Sequence, residues 1–249
     1  MVKMSKEHPT LGYKKITKLL REKGYRINKK QVQRVRREEG LQVPPSPPKR
    51  RRQGVSTGLP QRAEKANHVW CWDFMSDFTQ RGGKLRVFNL IDEFTRECHC
   101  IHADRAINAL DVLRLLQEAI ERKGTPAFIR SDNGPEFIAK AIQSWLAKSK
   151  IKTIYIDPGC PWQNGYAESF NSRFRVECLN RELIYTLSEA RVIFGDWKAY
   201  YNGVRPHRSL GLLTPAAFAK TYLLQGSDSG RATPALRRSL QLNQNSKPG

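Results

Sequence analysis

The sequence predicts a mixed α/β sheet preceded by a small, strongly basic helical module. Two observations predict it. After Asn67 three strand-like stretches follow one another, and strands then alternate with helices. Ahead of them lie two short amphipathic stretches rich in Lys and Arg. The chain of 249 residues, 39% apolar, has room for one ordinary domain and a smaller module.

Lys and Arg total 44 against 23 Asp and Glu, a formal charge of +21. Nucleic acid is the usual partner of such a surface, because neutralised phosphates release counterions. Residues 1–66 hold 19 Lys or Arg and 5 Asp or Glu, so two thirds of the excess sits in the first quarter of the chain. An acidic disordered chain is excluded. No run of eighteen apolar residues is present, and Met1 to Lys6 lacks a signal-peptide core, so the expectation is a cytoplasmic protein without membrane contact.

Residues 8–41 read as two helices. Ile16, Leu19 and Leu20 recur at helical spacing in the first, which Gly24 ends. Asn28, with Gln31 three residues on, opens the second in the manner of a capping box. Val32 and Val35 mark its buried side, and Lys29, Lys30, Gln33, Arg34, Arg36 and Arg37 its exposed side, up to Gly40. A basic second helix fits a helix-turn-helix over residues 1–41, with Lys29, Lys30, Gln33, Arg34 and Arg37 as candidate DNA contacts. A solvated basic helix has the same pattern. Residues 42–66 read as a linker. Pro44, Pro45, Pro47 and Pro48 favour extended chain, and Lys49, Arg50, Arg51 and Arg52 form a basic cluster that could lie along phosphates.

His68 to Thr79 reads as a strand, Gln80 to Gly83 as a turn, Lys84 to Asp92 and Thr95 to Ala103 as two further strands of a meander. Leu110, Leu113, Leu116 and Ile120 place the buried face of a helix over 106–123. A strand at Ala127 to Ser131, a helix at 136–148, a strand at Ile151 to Ile156 and a long helix from about Gly165 follow. The order β-β-β-α-β-α-β-α is that of a ribonuclease-H-like fold. Residues 187–201 add a helix that extends a core spanning 67–224, and 225–249 read as a disordered tail.

The five cysteines suggest no disulfide framework. In Cys98-His99-Cys100, strict strand alternation sends His99 to the face opposite both cysteines, and no second Cys pair is available to close a zinc site.

Three carboxylates stand out. Asp73 lies inside the first strand, Asp132 directly follows the strand at Ala127 to Ser131, and Glu168 lies early in the long helix. Strand ends of such a sheet bring catalytic groups to a common edge. Phosphoryl transfer on DNA uses two hard cations about 3.5–4 Å apart. Mg²⁺ prefers carboxylate oxygens, so an Asp-Asp-Glu set is a suitable cage. Each residue also has a plain structural reading: a buried Asp, a turn at Asp132-Asn133-Gly134-Pro135, a surface Glu. Asp77 competes with Asp73 on the same strand face.

With these residues in view, the chain resembles insertion-sequence transposases of the IS-three family, the OrfB product with an integrase-type catalytic core. The resemblance rests on Asn67-His68-Val69-Trp70 with Asp73-Phe74, on Asp92 to Arg96, and on Ser131 to Phe137. It continues through Pro161, Asn164 and Gly165 to Glu168-Ser169-Phe170-Asn171. It closes on Tyr201-Asn202, Arg205-Pro206-His207, Leu210-Gly211 and Thr214-Pro215. His8-Pro9 and Gly12-Tyr13 are similar to the family's helix-turn-helix segment, which usually has a further helix upstream that this chain is expected to lack.

The resemblance implies a retroviral-integrase-superfamily core with Asp73, Asp132 and Glu168 as catalytic, metal-holding triad. It implies two Mg²⁺ per active site, with Mn²⁺ as a substitute, and favours Asp73 over Asp77. Arg175, seven residues after Glu168, becomes a candidate contact to a DNA end. The implied partners are double-stranded DNA, as element ends and as target, at least a second copy of the chain, and an upstream OrfA protein. The implied setting is a bacterial nucleoid. The implied activity is 3′-end cleavage and strand transfer. A ribonuclease-H-like nuclease and a DNA-binding-only regulator of transposition stay open as alternatives.

Overall fold

The computed structural model describes residues 1–44, 61–132, 134, 139–157 and 160–226. Three helices open it: α1 (Val2–Glu7), α2 (Tyr13–Glu22) and α3 (Lys29–Glu38). They share a small core of Met4, Leu11, Ile16, Leu19, Leu20 and Val32. A short helix, α1, precedes His8 and contributes Met4 to that core. Asn28 caps α3 by accepting from the Lys30 N–H at 2.9 Å, and among the described residues Gln31 makes no reciprocal bond. Arg36 departs from the sequence expectation. It stands one helical turn after Val32, so its stem is carried into the core, and the side chain is 2% exposed.

The next elements are β1 (Val69–Phe78), β2 (Lys84–Asp92), β3 (Cys98–Asp104), α4 (Ala109–Lys123), β4 (Phe128–Ser131), α5 (Lys140–Lys148) and β5 (Lys152–Tyr155). The sheet order is β3-β2-β1-β4-β5. The first three strands form the antiparallel meander, while β4 runs parallel to β1 and β5 parallel to β4. Chain order and strand directions agree with the ribonuclease-H-like expectation.

Helices cover both faces, so two cores form. On one face Trp70, Trp72, Phe88 and Leu90 pack under α4 and α5. An Asn108–Asp111 capping box starts α4, and Gly124, at φ 89°, ends it. The buried stripe of α4 is Val112, Leu115, Leu116 and Ala119. Leu110 is 71% exposed, against the expectation from spacing, because it lies about 200° around the helix from Val112.

On the other face lie α6 (Gly165–Phe174), a π-helical turn at Arg175–Leu179, and α7 (Leu187–Gly203). Phe170, Phe174, Phe194, Trp197 and Tyr201 interlock there over Cys71, Val87 and Ile91. A Thr186–Glu189 capping box starts α7, and α8 (Pro215–Gly226) follows it. The first module touches this layer where the His8 ring stacks on Tyr200, centroids 5.4 Å apart. Among the described residues no helix is long and apolar enough to cross a membrane.

The strict alternation expected at Cys98-His99-Cys100 does not hold. The β2–β3 register shifts between Leu90 and Ile91, so Leu90 faces Cys100 but Ile91 faces Cys98. This irregularity puts Cys98 in the α6–α7 core and Cys100 in the α4–α5 core. His99 is buried against Trp70, 4.5 Å between ring centroids, and burial lowers its pKa to about 3. It is a neutral core residue.

Candidate active site

Strand parity places Asp73 on the face covered by α6, with Cys71 and Met75. The β1–β4 register pairs Cys71 with Arg130, and continuing it by two residues sets Asp73 level with Asp132. Glu168 lies in the first turn of α6, exposed, over the same edge. The three carboxylates, from three separate elements, share one electrostatic neighbourhood. Burial first, and then the charges of Asp132 and Glu168, push the Asp73 pKa up to about 6.

Asp73 is held in place. Its Oδ1 accepts from the Phe74 N–H at 2.8 Å and its Oδ2 from Asn171 Nδ2 at 2.7 Å. Asn171 Oδ1 in turn accepts from Asn89 Nδ2 at 2.8 Å, and Asn89, fully buried, sits opposite Asp73 in the β1–β2 register. Sequence reasoning assigned no role to Asn89 or Asn171. The available signal was an Asn on a strand stretch otherwise rich in apolar residues. Asp132 Oδ1 accepts from the Gly134 N–H at 3.1 Å, the turn bond expected of Asp-Asn-Gly.

Asp77 has a different employment. Its Oδ2 lies 3.7 Å from Arg175 Nη1, and Arg175 Nη2 also donates to the Ser76 carbonyl at 3.3 Å. The competing carboxylate is thus taken up by the basic residue two turns beyond Glu168, where α6 gives way to the π-helical turn.

Among the described residues no three acidic, His or Cys side chains stand close enough to hold an ion as they are. The donor chemistry nevertheless fits a hard divalent cation. All the donors are carboxylate oxygens. One of them is desolvated and repelled by its neighbours, and added positive charge would offset both penalties.

The candidate DNA contacts of α3, Lys29, Lys30, Gln33, Arg34 and Arg37, are all exposed on one helix. Lys49, Arg50, Arg51 and Arg52 lie outside the described residues, as does most of the predicted linker and tail.

Integrase core domain models match residues 63–161 and 149–215, and an HTH-like domain model matches residues 2–52. The 31.7 kDa protein of insertion element IS407 from Burkholderia multivorans is 37% identical over 224 residues, covering 89% of this chain and 80% of that one. The chain belongs to the insertion-sequence transposases with an integrase-type core. The 39.2 kDa protein of insertion element IS476 from Xanthomonas euvesicatoria is 36% identical over 232 residues, 92% of this chain. The chain spans 66% of the length of that relative. The simian T-cell lymphotropic virus intasome in complex with PP2A regulatory subunit B56 gamma contains a chain of the same fold. Its TM-score is 0.54 at 16% identity, covering 93% of this chain and 76% of that one.

Several remaining motif residues of this chain have structural partners. Asn67, at φ 57°, donates its N–H to Asp92 Oδ2 at 2.7 Å and its Nδ2 to the Lys123 carbonyl at 2.7 Å. Asp92 Oδ1 accepts from the N–H groups of Phe94 and Thr95, each at 2.8 Å, and so fixes the β2–β3 turn. Glu93 accepts from Arg130 Nε at 2.6 Å with both side chains fully buried. Asn202 brackets Cys98, accepting from its N–H and donating to its carbonyl, both at 2.9 Å. Arg205 pairs with buried Glu177.

Proposed function

We propose that the chain is a DNA transposase that cleaves the 3′ ends of its element and joins them to target DNA. The observation that carries the reading is the meeting of Asp73, Asp132 and Glu168 in one field at the sheet edge. Two divalent cations held by these carboxylates, Mg²⁺ or Mn²⁺ in its place, would supply positive charge to the attacking and leaving oxygens of an in-line displacement. Asn171 and the Phe74 N–H keep Asp73 aimed at that edge. In cleavage the oxygen of water bonds to phosphorus as the P–O3′ bond breaks. In joining, the freed 3′ hydroxyl takes water's place, so one phosphodiester is exchanged for another.

In this reading residues 1–41 dock on the element end through α3, residues 42–66 tether them, and 67–224 carry the chemistry. Arg175, exposed, would exchange its contacts with Asp77 and the Ser76 carbonyl for a phosphate of a DNA end. Handling two ends calls for at least a dimer. An upstream OrfA protein and a nucleoid setting in the bacterial cytoplasm complete the reading.

The test is strand transfer with labelled terminal-repeat DNA and Mg²⁺, with and without OrfA protein. Joined product in either mixture is expected. Cutting without joining in both would favour a nuclease, and binding without cutting a regulator. Changing Lys29, Lys30, Arg34 and Arg37 together to Gln should weaken duplex binding. For about four lost phosphate contacts, the slope of log K against log salt should flatten by roughly 3–4. An unchanged slope would move the DNA footprint off α3.

A further inference from the structure

Behind α6, on the side away from Asp73, lies a cavity of about 350 Å³ that the chemistry above leaves unused. Helix position separates the two sides. Glu168, Asn171 and Arg175 face the sheet edge, whereas Tyr166, Ser169, Phe170 and Arg173 line the cavity. Its other walls include Arg96 from the β2–β3 turn, Trp162, Tyr201 of α7, and His207 and Ser209 beyond α7.

The lining has cations and no carboxylate. The Arg96 guanidinium lies 3.8 Å from the Tyr166 ring centroid and donates to the Glu93 carbonyl. Arg173 Nη1 donates to the Ser169 carbonyl at 2.7 Å and to Ser169 Oγ. Neither forms an ion pair with any described residue. Both side chains are half-buried. Burial, and the charges of Arg205 and Arg96, disfavour the charged form of Arg173, so an anion placed there would relieve it.

A second observation is independent of the arginines. His207 is 6% exposed, and its Nε2 has no hydrogen-bond partner among the described residues. Burial, with the charges of Arg205, Lys15 and Arg173, holds its pKa near 2, so the ring is neutral and polar but unsatisfied. The cavity therefore combines aromatic walls and two guanidiniums that have no ion-pair partner among the described residues, with a buried, unsatisfied ring nitrogen in its wall.

We propose that this cavity receives one unpaired nucleotide of a DNA strand, its phosphate on Arg96 and Arg173 and its base against Trp162 and Tyr166. The volume lies in the range of small-ligand sites, about 300–1,000 Å³, and a duplex cannot enter it. Bases within a duplex are already stacked, so aromatic walls serve only an unpaired one. A helix shared with Glu168 would then hold a frayed or overhanging strand while a phosphodiester further along the DNA lies at the carboxylates. The inference rests on the transposase reading.

The test measures binding of the full chain to a blunt duplex and to the same duplex with a five-nucleotide single-stranded overhang. Wild type is expected to prefer the overhang by about tenfold, from a stacked base and a bound phosphate. Arg173→Gln and Arg96→Gln should each remove most of that preference, leave blunt-duplex affinity within about twofold, and melt as wild type does. Arg173→Lys should keep part of it. Equal affinity of wild type for both duplexes, or equal losses on both in the variants, would overturn the assignment. Abolition of the preference by micromolar deoxyadenosine monophosphate would also overturn it, in favour of a free nucleotide. No binding to either duplex would instead defeat the transposase reading beneath it.

Discussion

Asp73→Asn is expected to abolish joining, by at least about 10³-fold, and also to raise the melting temperature above neutral pH. Both effects follow from the same burial. The Asp73 carboxyl titrates near 6 in the fold against an ordinary 3.8, because it is desolvated and faces Asp132 and Glu168. A raised carboxyl pKa means that the folded state binds more protons than the unfolded chain between those values, so stability falls as pH rises through that window. Above about pH 6 the penalty is complete, and below about 3.8 both states are protonated and it vanishes. Asn carries no charge, and its one amide oxygen can still accept from Asn171 at the loss of the bond from the Phe74 N–H. The variant should gain roughly 1–2 kcal/mol at pH 8, after discounting for partial solvent access, and close to nothing at pH 4. Thermal unfolding at the two pH values, beside a strand-transfer assay, checks this. A variant that joins DNA would remove Asp73 from the catalytic set. One that is less stable at pH 8 would show that the carboxylate is well compensated in the fold.

Arg130→Met is expected to cost about 3–5 kcal/mol, the effect of leaving one member of a buried ion pair without its partner. Arg130 is fully buried on β4, two residues before Asp132. Its Nε donates to Glu93 at 2.6 Å and its Nη2 to the Gln61 carbonyl at 2.8 Å. Burial pushes the Glu93 carboxyl up, and the guanidinium opposes that shift. The pair ties the end of β2 to the strand that delivers Asp132, so its loss should also weaken joining. For a chain of this size the loss corresponds to a fall in melting temperature of about 10 °C. Replacing both partners, Arg130→Met with Glu93→Leu, should recover most of it. Denaturant unfolding of the two variants beside the wild type decides the point. A single-variant loss under about 1 kcal/mol would mean that solvent reaches the pair.

The candidate carboxylates could be singled out in the sequence because their signals are local. Asp73 interrupts an apolar strand, Asp132 follows a short strand and opens a turn, and Glu168 starts a helix after Pro161 to Gly165. Each is a departure from the pattern of its own segment. The choice between Asp73 and Asp77 was not local. Both share a strand face, the family resemblance favours Asp73, and the contact of Asp77 with Arg175, ninety-eight residues away, is one that spacing does not encode. Asn89 and Asn171 escaped notice for the same reason, since their bonds to each other and to Asp73 join three elements far apart in the chain.

By itself the sequence determined the order of the elements and the basic helical module. Those follow from hydrophobic period, turn chemistry and charge, which act over a few residues. Only the tertiary structure decided that Arg36 is buried and Leu110 exposed, and that Cys98 and Cys100 enter opposite cores. It alone brought Arg96, Arg173 and His207 around one cavity. These outcomes depend on a register shift, a helix rotation and contacts across the chain, which residue spacing does not encode.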